Sequence, residues 1–145
     1  MLELVERFEN FLSLLPRLHK KVFAGCQALE QLNMTPSQFN TLQVVSIRPE
    51  WRMTDLSTRL HVSAGSLTTM MNRLIELGLV ERTRSTTDRR VVTVKLTEKG
   101  NAVLKNGRDH MRSTLAAILA TLPPADRDEL RVSLESMNGI MNKIV

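Results

Sequence analysis

Apolar residues near the start of the chain fall at Leu4, Phe8, Phe11, Leu15, Leu18, Val22, Cys26 and Leu29, alternating steps of four and three. At about 3.6 residues per turn this spacing lines one side of a helix. It predicts a long amphipathic helix over 4–29, with Pro16 either opening a second helix behind Ser13 or kinking a continuous one. Such a face is longer than a small domain needs for itself. Thr35-Pro36-Ser37-Gln38 then has the layout of a capping box with proline in the first turn, so a helix starts there with Phe39, Leu42 and Val45 inward and Pro49 as its limit.

After an extended piece at Trp51 to Met53, Thr54 and Asp55 open a helix through Leu60 whose inward residues are Leu56 and Leu60. His61 to Ser63 form a short turn. Ser63 caps a second helix reaching about Leu77, where Gly78 stops it, and Leu67, Met70, Met71 and Leu74 follow the core spacing. Two helices joined this way make a helix-turn-helix. The arms Val80 to Arg84 and Val91 to Leu96 flank a polar tip and predict a hairpin. Thr97 caps a further helix with Glu98 in its first turn and a buried stripe at Leu104, Met111, Leu115, Ile118 and Leu122. Pro123-Pro124 breaks it, and a last helix from about Ala125 repeats the stripe at Leu130, Leu134, Met137, Met141 and Ile144. The economical arrangement packs the helices of both chain ends together and against a second copy.

Composition agrees with this pattern. A chain of 145 residues, 42% hydrophobic, builds one ordinary domain or protomer, and Leu and Met without Tyr favour a mainly α protein with a small β-hairpin, an α+β fold. Cys26 is the single cysteine, so no internal disulfide framework exists. Leu-rich runs are broken by charge and the first fifteen residues hold three Glu, so neither a secretory nor a membrane segment is expected, and the expected compartment is cytoplasmic.

Charge changes the picture more. Between Arg82 and Lys95 stand Arg82, Arg84, Arg89, Arg90 and Lys95 against Asp88 alone, a balance of five minus one, or +4 of the net +5. A basic hairpin suits a polyanion through counterion release. The same hairpin could also be a merely solvated loop. The helix before it decides between the two, because Ser63, Ala64, Gly65, Ser66, Thr68, Thr69 and Asn72 form a small, polar outward face that can approach base edges closely. Double-stranded DNA is the expected partner.

Other chemistry is thinly represented. No paired-carboxylate motif, phosphate-binding Gly-rich loop or local Cys-His arrangement is present, so neither an enzyme nor a cofactor is expected. Metal binding is not expected either: His19, His61 and His110 stand apart, and Asn106 and Thr114 occupy the positions one turn from His110. Cys26 lies on the first apolar stripe, where a small core residue is the favoured reading and a redox-responsive thiol the alternative.

The segments T-P-S-Q-F at 35–39, T-D-L-S-T-R-L-H-V-S at 54–63, S-L-T-T-M-M-N-R-L-I-E-L-G-L-V at 66–80, D-R-R at 88–90 and L-T-E-K-G at 96–100 resemble those of MarR-type winged helix-turn-helix regulators. The resemblance implies a homodimer held by residues 1–34 and 101–145, with a DNA-binding domain over 35–100 reading a pseudo-palindromic operator. It implies a repressor relieved by a small effector such as an anionic aromatic compound. Ser63 to Asn72 would form the recognition helix in the major groove. Arg90 would enter the minor groove, oriented by Asp88, and Arg73 would contact the DNA backbone or form an internal ion pair. The effector pocket would be lined by Arg17, His19, Phe23 and Phe39. Two departures stand out: Ala64 and Thr69 are uncharged where many relatives carry Lys or Arg, and His61 stands where glycine is frequent. The first leaves a constitutive architectural DNA-binding protein as an alternative, beside a regulator using Cys26.

Overall fold

The computed structural model describes residues 1–144, in the order α1 (Leu2–Phe23), α2 (Gln27–Glu30), α3 (Pro36–Val45), β1 (Trp51–Arg52), α4 (Met53–Leu60), α5 (Ala64–Glu76), β2 (Val80–Arg84), β3 (Val92–Leu96), α6 (Glu98–Ala120) and α7 (Pro124–Met141). Residues Met1–His110 form one compact unit, and a second begins at Met111.

Local chemistry explains most boundaries. Thr35 Oγ1 accepts from the Gln38 amide at 3.2 Å while Gln38 Oε1 accepts from the Thr35 amide at 3.0 Å, so both halves of the capping box are made. The single helix expected over 4–29 is two: α1 stops at Phe23, and Gly25 turns the chain at φ 74°. Its amide donates to Glu30 Oε1 at 3.0 Å, and α2 then resumes with Cys26 and Leu29 still facing inward. The apolar spacing therefore survives the break and conceals it. Pro16 lies inside a continuous α1. β3 begins at Val92 rather than Val91, because the Val91 amide turns back onto the Asp88 carbonyl at 3.0 Å.

The first unit is built around the helix-turn-helix. β1, β3 and β2 form an antiparallel sheet in that order, with Trp51 opposite Val94 and Arg82 opposite the same residue on the other side. Phe39, Leu42, Val45, Leu56, Leu67, Met71, Leu74, Leu79 and Val94 are buried beneath it. Trp51 joins them, its Nε1 donating to Val45 O at 3.1 Å. Met70 and Leu60, both expected inward, are only half-buried.

The L-T-E-K-G segment has a physical explanation. Thr97 Oγ1 accepts from the Gly100 amide at 3.0 Å and donates to Gly78 O at 2.6 Å, while Lys99 Nζ donates to Leu77 O at 2.8 Å. These bonds tie the start of α6 to the exit of α5. A Cβ at Gly100 would overlap the Leu79 carbonyl oxygen, and one at Gly107 would overlap the Phe39 ring, so both glycines permit α6 to lie against the lobe.

The apolar stripes at the chain ends are not buried as expected. On α1, Leu4 is 63% exposed and Phe8 38%. In the second unit, Met111, Leu115, Ile118, Leu122, Leu130, Met137 and Met141 are half-buried and Leu134 and Ile144 exposed, with no residue of α7 buried. A helix pair has too little chain to cover such stripes on both sides. Among the described residues no helix is long and apolar enough to cross a membrane.

Candidate nucleic-acid interface

The turn before α5 sets its direction. His61 adopts the left-handed conformation at φ 53° and ψ 41°, with the Val62 amide donating to Ser57 O at 3.1 Å. Ser63 caps α5, accepting from the Ser66 amide at 3.1 Å and donating to Ser66 Oγ at 2.9 Å. Buried Leu67, Met71 and Leu74 fix the rotation of the helix, which leaves Ser63, Ala64, Gly65, Ser66, Thr68, Thr69 and Asn72 exposed together. Every residue of the expected face is exposed.

Their hydrogen bonds limit what they present. Thr68 Oγ1 donates to Ala64 O at 2.8 Å and Thr69 Oγ1 to Gly65 O at 3.2 Å, so both hydroxyls show lone pairs and methyl groups outward. Asn72 Oδ1 accepts from Arg82 Nη2 at 3.2 Å. Arg73 is half-buried and turned inward: its Nη2 lies 3.5 Å from Leu32 O and its Nη1 3.7 Å from Glu76 Oε2.

The hairpin is exposed from Arg82 and Arg84 to Asp88, Arg89 and Arg90. Asp88 Oδ1 accepts from the Arg90 backbone amide at 3.0 Å, so it holds the tip through the main chain. Ser85 Oγ braces the same turn, accepting from the amides of Thr87 and Asp88, each at 3.3 Å. Lys95 is engaged elsewhere: its Nζ lies 2.9 Å from Glu81 Oε1, directly across the strands. The hydrogen bond and the charge of Glu81 hold this amine above its ordinary range. The free positive charge of the hairpin is therefore arginine.

Arg52 was not recognised from sequence. It pairs through β1 with Thr93 and joins Thr54, Thr68, Arg82 and Arg90 around a cleft of about 310 Å³. Only the sheet pairing brings it there, and nothing local in the sequence signals it.

A second concavity, of about 610 Å³, is lined by His19, Lys20, Phe23, Met34 and Pro36, among others. The His19 and Phe23 rings are 4.5 Å apart, and Phe39 stands behind Phe23 at 5.3 Å. Two of the expected pocket residues are corrected. Phe39 is only 1% exposed and supports the wall rather than lining it. Arg17 does not line the groove, because two residues along a helix turn a side chain through about 200° relative to His19, and Lys20 supplies the cation instead. Cys26 is 2% exposed. Among the described residues no cluster of three His, Cys, Asp or Glu could hold a metal ion.

Residues 32–91 match the MarR family. The HTH-type transcriptional repressor MdtR of Bacillus subtilis (strain 168) is 26% identical over 96 residues, which cover 66% of this chain and 62% of that repressor, less than two thirds of its length. The crystal structure of RV1404 from Mycobacterium tuberculosis superposes with a TM-score of 0.74 at 28% identity, covering 93% of this chain and 92% of that one. A cysteine-to-serine mutant of Escherichia coli MarR, crystallised with operator DNA, has the same fold, with a TM-score of 0.69 at 24% identity over 93% of this chain and 95% of its own. The winged lobe, its capped helix-turn-helix and the matched segment agree with one another: residues 32–91 of this chain are similar to the helix-turn-helix segment of the MarR family.

Proposed function

We propose that the chain is a sequence-specific DNA-binding transcriptional repressor, not an enzyme, acting in the cytoplasm as a homodimer on a pseudo-palindromic operator. The observation that carries this reading is the exposed, uncharged face of α5 together with the exposed Arg52, Arg84, Arg89 and Arg90. The face is small enough to approach bases, and the arginines neutralise phosphates. The repressor role of MdtR and the operator complex of E. coli MarR support it. Arg90 enters the minor groove from a tip held by Asp88, and the exposed apolar residues of α1 and α7 meet a second copy. In this reading residues 35–100 bind DNA while 1–34 and 101–145 hold the dimer together. A small anionic aromatic effector fits the groove of His19, Lys20 and Phe23, where a cation adjoins aromatic rings. Cys26 belongs to the core.

The test is titration of the protein against its own upstream DNA and a scrambled duplex at two salt concentrations. A preference of about 10³ or more is expected. Arg90→Ala should weaken binding and lower the salt slope by about one per wing. An unchanged slope would remove Arg90 from the groove. Equal binding within about tenfold would favour an architectural protein, a reading that gains some support from the uncharged Ala64 and Thr69.

A further inference from the structure

Asn72 and Thr68 lie one helical turn apart on the exposed face of α5, and Arg82 reaches Asn72 from the neighbouring strand. The strand makes this contact predictable. Side chains two apart on a strand share a face, and Val80, two before Arg82, is buried, as is Val94 opposite Arg82. Arg82 therefore extends from the inner face of the hairpin toward α5, whereas Glu81 and Lys95 pair on the outer face.

The chemistry of the contact is one-sided. A guanidinium only donates, so the carboxamide atom 3.2 Å from Arg82 Nη2 must be the carbonyl oxygen. A free asparagine suits adenine because its oxygen accepts from N6–H while its amide donates to N7. Here the oxygen is turned toward the strand and the NH₂ is what remains to present.

We propose that Arg82 is a specificity-determining positioning residue, which aims the Asn72 NH₂ outward so that it reads a base acceptor, on guanine or on thymine O4, and disfavours the two-bond adenine contact. Thr68 and Thr69, whose protons are committed to α5 itself, complement it with acceptors and methyl groups. This inference rests on the DNA-binding reading above.

The experiment selects bound duplexes from a randomised pool with the full chain, Asn72→Ala, Arg82→Ala and Arg82→Lys. The position whose preference vanishes with Asn72→Ala is the one that Asn72 reads. There the unaltered protein should enrich guanine or thymine. Arg82→Ala should shift that position toward adenine by about tenfold while the other positions keep their preferences, and Arg82→Lys should restore part of the original preference. Thermal melts establish that each variant is folded. A uniform loss of affinity on Arg82→Ala with all preferences intact would make Arg82 a phosphate contact and overturn the inference alone. An unaltered protein that enriches no motif would overturn the DNA reading with it.

Discussion

Leu67 on α5 is 1% exposed and Leu4 on α1 is 63% exposed, although both sit on apolar stripes of helical spacing. The winged lobe meets its stripes from three directions: α3, α4 and the sheet all close on α5, and Leu42, Leu56, Met71 and Leu74 lose all their exposure. The N-terminal part of α1 and the whole of α7 do not, and Phe8, Leu15, Leu18, Leu134 and Ile140 remain in water. At about 25 cal/mol for each Å² of apolar surface, leaving such faces uncovered forgoes a large part of the available stabilisation. The difference teaches that an apolar period specifies a helix with a side to bury and leaves the covering partner unspecified. For the lobe the partner is the same chain, and for the terminal helices the proposed partner is a second copy.

The largest test of this contrast is Phe8→Glu. A two-fold interface counts each substitution twice, so the dimer should weaken by about 10³ in dissociation constant, read by sedimentation, while the fold of the lobe persists by circular dichroism. An unchanged sedimentation profile would mean that α1 is not an interface. Gly100→Ala addresses the closed region instead. The new Cβ meets the Leu79 carbonyl, which belongs to the backbone and yields little, so stability should fall by about 2 kcal/mol in denaturant titration. A loss below about 0.5 kcal/mol would refute the close approach of α6. The smallest expected effect is His61→Gly. Relief of a left-handed residue with a side chain should raise stability by about 1 kcal/mol, seen as a higher melting temperature, and a lower one would show that the imidazole makes a contact worth more than the strain.

Much of the interface was legible because its signals are local. Thr35 and Ser63 act as caps, Gly78 stops α5 at φ 72°, and the alternation about Val80 and Val94 marks a hairpin. The outward set from Ser63 to Asn72 follows from the core positions of its own helix. What could not be read involves residues remote in sequence. Arg52 enters the basic cleft only through its pairing with Thr93, and Asn72 Oδ1 accepts from Arg82 only because that residue, ten positions on, is folded back against it. The break at Gly25 was hidden because Cys26 and Leu29 keep the phase of the stripe. Arg17 misses the groove because two residues' separation from His19 on a helix sets the two side chains on opposite sides.

By itself the sequence determined the helix-turn-helix, the wing, the concentration of arginine on it and the absence of local catalytic spacing. These depend on caps, periods and composition within a few turns. Tertiary structure decided that Arg73 turns inward to Leu32, that Lys95 pairs with Glu81 and that Asn72 Oδ1 accepts from Arg82. Each of those outcomes depends on the direction in which a polar side chain spends its hydrogen bonds. That direction is set by whichever partner the packing of other elements brings within about 3 Å.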